Sequence, residues 1–212
     1  MAASAVTAVR PSEHNRSVVF HVSLLYNLVL QHERRRPWWS RVEPNLLLGA
    51  LPLHDKNHLE RLVQEEGVRA IVTMNEDKEL LPNLLGTPVA PEDWQAADVQ
   101  QCFGTTGDFS PPTLETIQRC VDFIHERVDV EQQTTYVHCK AGRGRSTVVV
   151  VAFLMRHRGM SLESAYAFVR SKRTHVSLHP KQQRILREFQ STIAAAPIAS
   201  SSSSAPSAGR EL

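Results

Sequence analysis

The stretch TTYVHCKAGRGRSTVVVVAFLMRHRG, residues 134–159, constrains the fold of this 212-residue chain more than any other. Residues 134–139 are β-branched and aromatic and read as a strand, whereas 146–159 read as a strongly apolar helix. Gly142 and Gly144 mark the turn between them. A strand that enters a helix through a short glycine loop is a building unit of parallel α/β sheets. In such sheets ligands bind outside the carboxyl ends of the strands.

The rest of the chain repeats that alternation. Residues 44–52, PNLLLGALP, read as a short strand, and 56–67 as a helix, with Leu59, Leu62 and Val63 at helical spacing and Gly67 as its stop. Residues 68–75 form a second apolar run, and 98–104 a further short strand. Helices are predicted from about Pro112, from Ser161 as N-cap, and from Pro180. Between 76 and 97 lies a long connection carrying Glu76, Asp77 and Glu79, longer than a structural loop needs. The predicted class is α/β, a central mainly parallel sheet flanked by helices.

The loop at 139–145 has its own chemistry. Backbone N–H groups at a helix N-terminus lack intrahelical partners and converge on anions, and glycines let the loop curl into such a nest. Lys140, Ala141, Gly142, Arg143, Gly144 and Arg145 are therefore the expected phosphate cradle, with Arg145 supplying a planar, permanently charged fork. The same positive field favours thiolate at Cys139, and the Ser146 hydroxyl can hydrogen-bond that sulfur. A thiolate facing a bound phosphate is placed for in-line attack and a cysteinyl-phosphate intermediate. A Walker loop is excluded, because no GK[ST] follows the glycines and the loop opens with Cys.

Cys139, five residues and Arg145 give HCKAGRGRS, which resembles the HCxxGxxR[ST] signature of the cysteine-based protein tyrosine phosphatases. The AGRGRST loop and the short domain resemble the dual-specificity subgroup, whose members need no metal or other cofactor. The resemblance implies a carboxylic acid on a loop about 30 residues before the Cys, serving as proton donor and then as base. Here that position is Asp108, 31 residues upstream in TTGDFSPP, with Asp98 and Asp93 as fallbacks. LLLGALPL, GVRAIVTMNED, YVHCKAGRGRS and HVSLHPKQQRILREF look like the mitochondrial phosphatidylglycerophosphate phosphatases of that subgroup, over roughly residues 20–192. The likeness implies removal of the terminal phosphate of phosphatidylglycerophosphate, an anionic phospholipid, for cardiolipin synthesis at the inner mitochondrial membrane. Two departures border the expected pocket. NEDKE stands where the family carries NEEYE, so Lys78 replaces Tyr, and the segment after Asp108 is one residue shorter. Lys78 and Lys140 are candidates to favour a second phosphate.

A protein phosphatase for phosphotyrosine, phosphoserine or phosphothreonine, or a phosphoinositide phosphatase, is the alternative. A binding module without turnover predicts a missing nucleophile or acid, and a sulfur transferase of rhodanese type fits the flanking VH and GRST less well.

The ends differ from the middle. SVVFHVSLLYNLVL at 17–30 is apolar but short of the roughly 20 residues of a membrane span. With the basic cluster and tandem Trp38-Trp39 after it, it suits a helix at a membrane interface, and the acid-poor start has transit-peptide character. The predicted organisation is a targeting and membrane-interface segment at 1–40, a phosphatase domain at 41–195 and a flexible Ser-rich tail at 196–212. A net charge of +2 gives no basis for nucleic-acid binding. Cys102, Cys120 and Cys139 show neither CxxC spacing nor a paired framework, which points to reduced thiols and argues against structural zinc.

Overall fold

The computed structural model describes residues 36–83 and 86–195. The apolar segment at 17–30 and the Ser-rich tail lie outside the described residues. Five strands form one sheet: β1 (Trp39–Glu43), β2 (Leu46–Gly49), β3 (Val68–Thr73), β4 (Gln100–Phe103) and β5 (Thr134–His138). Their order is β1-β2-β5-β3-β4, antiparallel between β1 and β2 and parallel elsewhere. β5 is thus central, paired with β2 on one side and β3 on the other. The loop that follows it emerges in the middle of the sheet's carboxyl edge.

Alternation along each strand sorts side chains to two faces. Leu46, Leu48, Val72 and Val137 join one apolar cluster, while Leu47, Ile71 and Tyr136 join the other. The first face carries α3 (Leu114–His125), α4 (Arg145–His157), α5 (Leu162–Lys172) and α6 (Pro180–Ala195). The second is covered by α1 (His58–Glu60, continued by a π-turn over Arg61–Glu65) and α2 (Pro91–Ala96). Every residue of α4 from Arg145 to Met155 is buried, as its unbroken apolar run requires of a helix surrounded on all sides. Ser161 caps α5 by accepting from Ser164 N, as its sequence position predicts.

Three expectations need correction. The tandem tryptophans are packed into the fold rather than belonging to a separate segment before it. Trp38 is 5% exposed and donates Nε1 to Leu51 O at 3.0 Å, and Trp39 opens β1, donating to Glu66 Oε1 at 2.8 Å. The sequence pattern does not single out β1, because its alternation is only five residues long and follows directly on a basic segment. Finally, the connection 76–97 is not structureless: it holds a 3-10 turn (Asp77–Leu80) and α2.

Candidate active site

β5 delivers Cys139 to the sheet edge, and α4 begins six residues later with Gly144 as its N-cap. The turn between them needs Gly142. Its φ is +62°, and a side chain there would collide with the backbone of Gly49 and Ala50 at the end of β2. From below, Arg173 (2% exposed) donates Nε to Gly142 O at 2.9 Å and Nη1 to Pro37 O at 3.0 Å, tying the loop to the lead-in of β1.

Cys139 is buried, and burial alone would push its thiol up. The Arg145 guanidinium, the Ser146 hydroxyl and the N–H groups of Ser146 and Arg143 outweigh that and hold it below its ordinary value. Ser146 Oγ donates to Cys139 Sγ at 3.2 Å. His138, the preceding residue, is held down at about 3 by burial and so stays neutral. Its Nε2 meets Thr73 Oγ1 at 2.9 Å, which locks the end of β5 to β3.

Arg145 is almost fully buried and gripped by a residue that sequence reasoning assigned only to the pocket border. Nη1 donates to Glu79 Oε2 at 2.6 Å and Nη2 to Glu79 Oε1 at 2.9 Å, with Nη1 also donating to Thr106 O at 2.8 Å. Glu79 is itself oriented by Glu76 N at 2.9 Å, within a capping box of the 3-10 turn. Burial would lower the arginine's proton affinity, but the carboxylate raises it further, so the charge is permanent. A guanidinium has five donors. Nε–H reaches no acceptor among the described residues, and beyond its bond to Glu79 Nη2 only neighbours Asp108 Oδ1, as an ion pair at 3.3 Å with no hydrogen bond. That leaves the Nε/Nη2 edge for a phosphate. In the sequence Glu76 and Glu79 are only acids in a long connection, and nothing local links Glu79 to Arg145.

Asp108 lies at the same spot, about 30% exposed, salt-bridged to Lys140 Nζ and facing Arg145. The fallbacks are elsewhere: Asp93 caps α2 through Ala90 N at 2.8 Å and meets His54 Nε2 at 2.7 Å, and Asp98 is an exposed turn residue with φ +56°. Phe109 follows Asp108 with φ +61°, a strained conformation for an aromatic residue, and its ring meets His179 edge-on at 5.8 Å. A cavity of about 240 Å³ opens over the loop, lined among others by Cys139, Arg143, Arg145, Asp108, Phe109 and His179. The Lys140 ammonium is spent on Asp108, and Lys78 Nζ lies 3.4 Å from Glu76 Oε1.

A parallel sheet that presents a cysteine, an anion loop and a buried arginine at one helix N-terminus defines a cysteine-dependent phosphatase. Residues 54–192 match the model of the dual specificity phosphatase catalytic domain, and the chain belongs to that family. It is 39% identical to the phosphatidylglycerophosphate phosphatase PTPMT2 of Arabidopsis thaliana, over 81% of this chain and 72% of that one. It is 38% identical to the phosphatidylglycerophosphatase and protein-tyrosine phosphatase 1 of Mus musculus, over 84% of this chain and 91% of that one. A crystal structure of PTPMT1 in complex with PI(5)P superposes with a TM-score of 0.68 at 37% identity, covering 75% of this chain and 98% of that one. No helix among the described residues is long and apolar enough to cross a membrane.

Proposed function

We propose that this phosphatase hydrolyses the terminal phosphomonoester of phosphatidylglycerophosphate, with Cys139 as nucleophile, Arg145 and the 140–145 loop as phosphate cradle, and Asp108 as acid and base. The observation that carries the chemistry is the convergence of Cys139, Ser146, Arg145 and Asp108 on one cavity. The lipid assignment is supported by what the most similar relatives act on.

The phosphate dianion seats on the loop N–H groups and the Nε/Nη2 edge of Arg145. Cys139 Sγ attacks phosphorus, the bond to the glycerol oxygen breaks, and Asp108 gives its proton to that oxygen. In the second step Asp108 carboxylate takes a proton from water. The water oxygen attacks phosphorus, the P–S bond breaks, and the thiolate leaves, steadied by Ser146 Oγ and Arg145. Products are phosphatidylglycerol and inorganic phosphate.

Work at a mitochondrial inner-membrane surface is part of this proposal, with residues 1–35 as targeting segment and 196–212 as tail. It is tested by whether deleting 1–35 releases the protein from mitochondrial membranes. The enzymatic test compares phosphate release from phosphatidylglycerophosphate, phosphoinositides and a phosphotyrosyl peptide. A peptide or phosphoinositide rate above that of phosphatidylglycerophosphate would overturn the lipid assignment. Cys139→Ser must abolish release on every substrate; residual turnover above a thousandth of wild type (on the order of 10⁻³) removes Cys139 as nucleophile.

A further inference from the structure

Among the described residues that line the cavity, Arg143 is a cation that no carboxylate pairs. Arg143 lines the same cavity as Cys139 and is half-buried. Its backbone is pinned: the carbonyl accepts from Ser177 N at 2.9 Å and Thr147 Oγ1 at 3.0 Å. Its side chain is pinned too, since Nε donates to His175 O at 3.0 Å. The remaining four N–H groups, on Nη1 and Nη2, reach no acceptor among the described residues. No carboxylate among those residues pairs with Arg143, and none pairs with Arg173, whose guanidinium lies under the same loop. The local field is accordingly positive. Burial first, and then Arg173, Arg36 and Arg143, push His175 down to about 3.

A surface arginine that serves only solubility is not held at both ends. Here the 175–177 segment fixes both the backbone and the first side-chain nitrogen, and so aims the outer fork. Such a fork matches two oxygens of a phosphate. We infer that the Nη face of Arg143 is a second anion subsite, which takes another phosphate of the substrate while the scissile phosphomonoester lies over Cys139. The substrate class is a bisphosphate in which a glycerol bridge joins a phosphomonoester to a phosphodiester. The subsite deepens the proposed function and rests on it for the lipid source, since a soluble bisphosphate offers the same two charges.

The test uses the full chain as wild type, Arg143→Gln and Arg143→Lys, with circular dichroism to confirm folding. Three probes are compared by kcat/KM: dioctanoyl phosphatidylglycerophosphate, its deacylated headgroup, and glycerol 3-phosphate with a single phosphate. The readout is the ratio of two-phosphate to one-phosphate substrate. In Arg143→Gln that ratio falls about 10- to 100-fold for lipid and headgroup alike, chiefly through KM, and Arg143→Lys restores part of it. A ratio within about twofold of wild type, or no wild-type preference for two phosphates, overturns the subsite. So does a fall confined to the lipid, which would make Arg143 a contact for the bilayer surface. If wild type cleaves the headgroup with an Arg143-dependent preference but leaves the lipid intact, the subsite stands and the lipid reading falls.

Discussion

The two ends of α4 each hold an arginine among carboxylates, and they differ in what is left over. At the C-terminal end Arg158 donates Nε and Nη2 to Glu43 at 3.0 and 2.9 Å. It also donates Nη1 and Nη2 to Asp129 at 3.1 and 2.6 Å, and Nη1 to His157 O at 3.1 Å. All five donors are used, and a cation at a helix C-terminus lies where the macrodipole favours it. At the N-terminal end Arg145 sits against the dipole, nearly without solvent, and keeps Nε and part of Nη2 unspent. A saturated arginine holds elements together. An arginine kept short of acceptors, at a place where positive charge is already concentrated, is held ready for an incoming anion.

Substitutions can break that contrast. The largest effect is predicted for Arg145→Lys, which keeps the charge but loses the fork. It lowers kcat on p-nitrophenyl phosphate by about 100- to 1000-fold in a steady-state assay. Glu79→Gln leaves a buried guanidinium without its counter-charge. Urea unfolding then reports a loss of about 2–4 kcal/mol, and kcat falls about 10- to 100-fold as Arg145 loosens. The third change sharpens the electrostatic side. Cys139 titrates below an ordinary thiol, so its alkylation by iodoacetamide persists below the usual thiol range and fades only as pH falls through the lowered value. Ser146→Ala removes a hydrogen bond that favours thiolate, and shifts the alkylation curve to higher pH. The smallest effect falls on the other end: Arg158→Gln costs about 1 kcal/mol, read as a drop of about 2–4 °C in Tm. It leaves kcat within about twofold and the alkylation curve in place. A large activity loss there would show that the two ends are coupled through α4.

Much of the site was legible because its parts are adjacent in sequence. Cys139 to Ser146 is one strand–loop–helix unit, and the physics of a glycine turn at a helix N-terminus is local. Asp108 was found only through a resemblance, since an aspartate in a turn is common on its own. The Trp38-Trp39 pair misled for a related reason: aromatic residues beside arginines have the same composition at a membrane interface and in an edge strand. Only packing against Leu51, Glu66 and Arg61 distinguishes the two.

By itself the sequence determined the α/β class, the glycine loop at a helix N-terminus and the cysteine at its mouth, because short-range sterics and backbone polarity dictate all three. The tertiary structure decided which charges are spent. Glu79 reaches Arg145 across 66 residues, Lys140 turns to Asp108 across 32, and Arg143 is aimed by a segment 32 residues away. Pairings over such separations depend on the order of strands in the sheet, and no local pattern of residue types encodes which carboxylate will meet which cation.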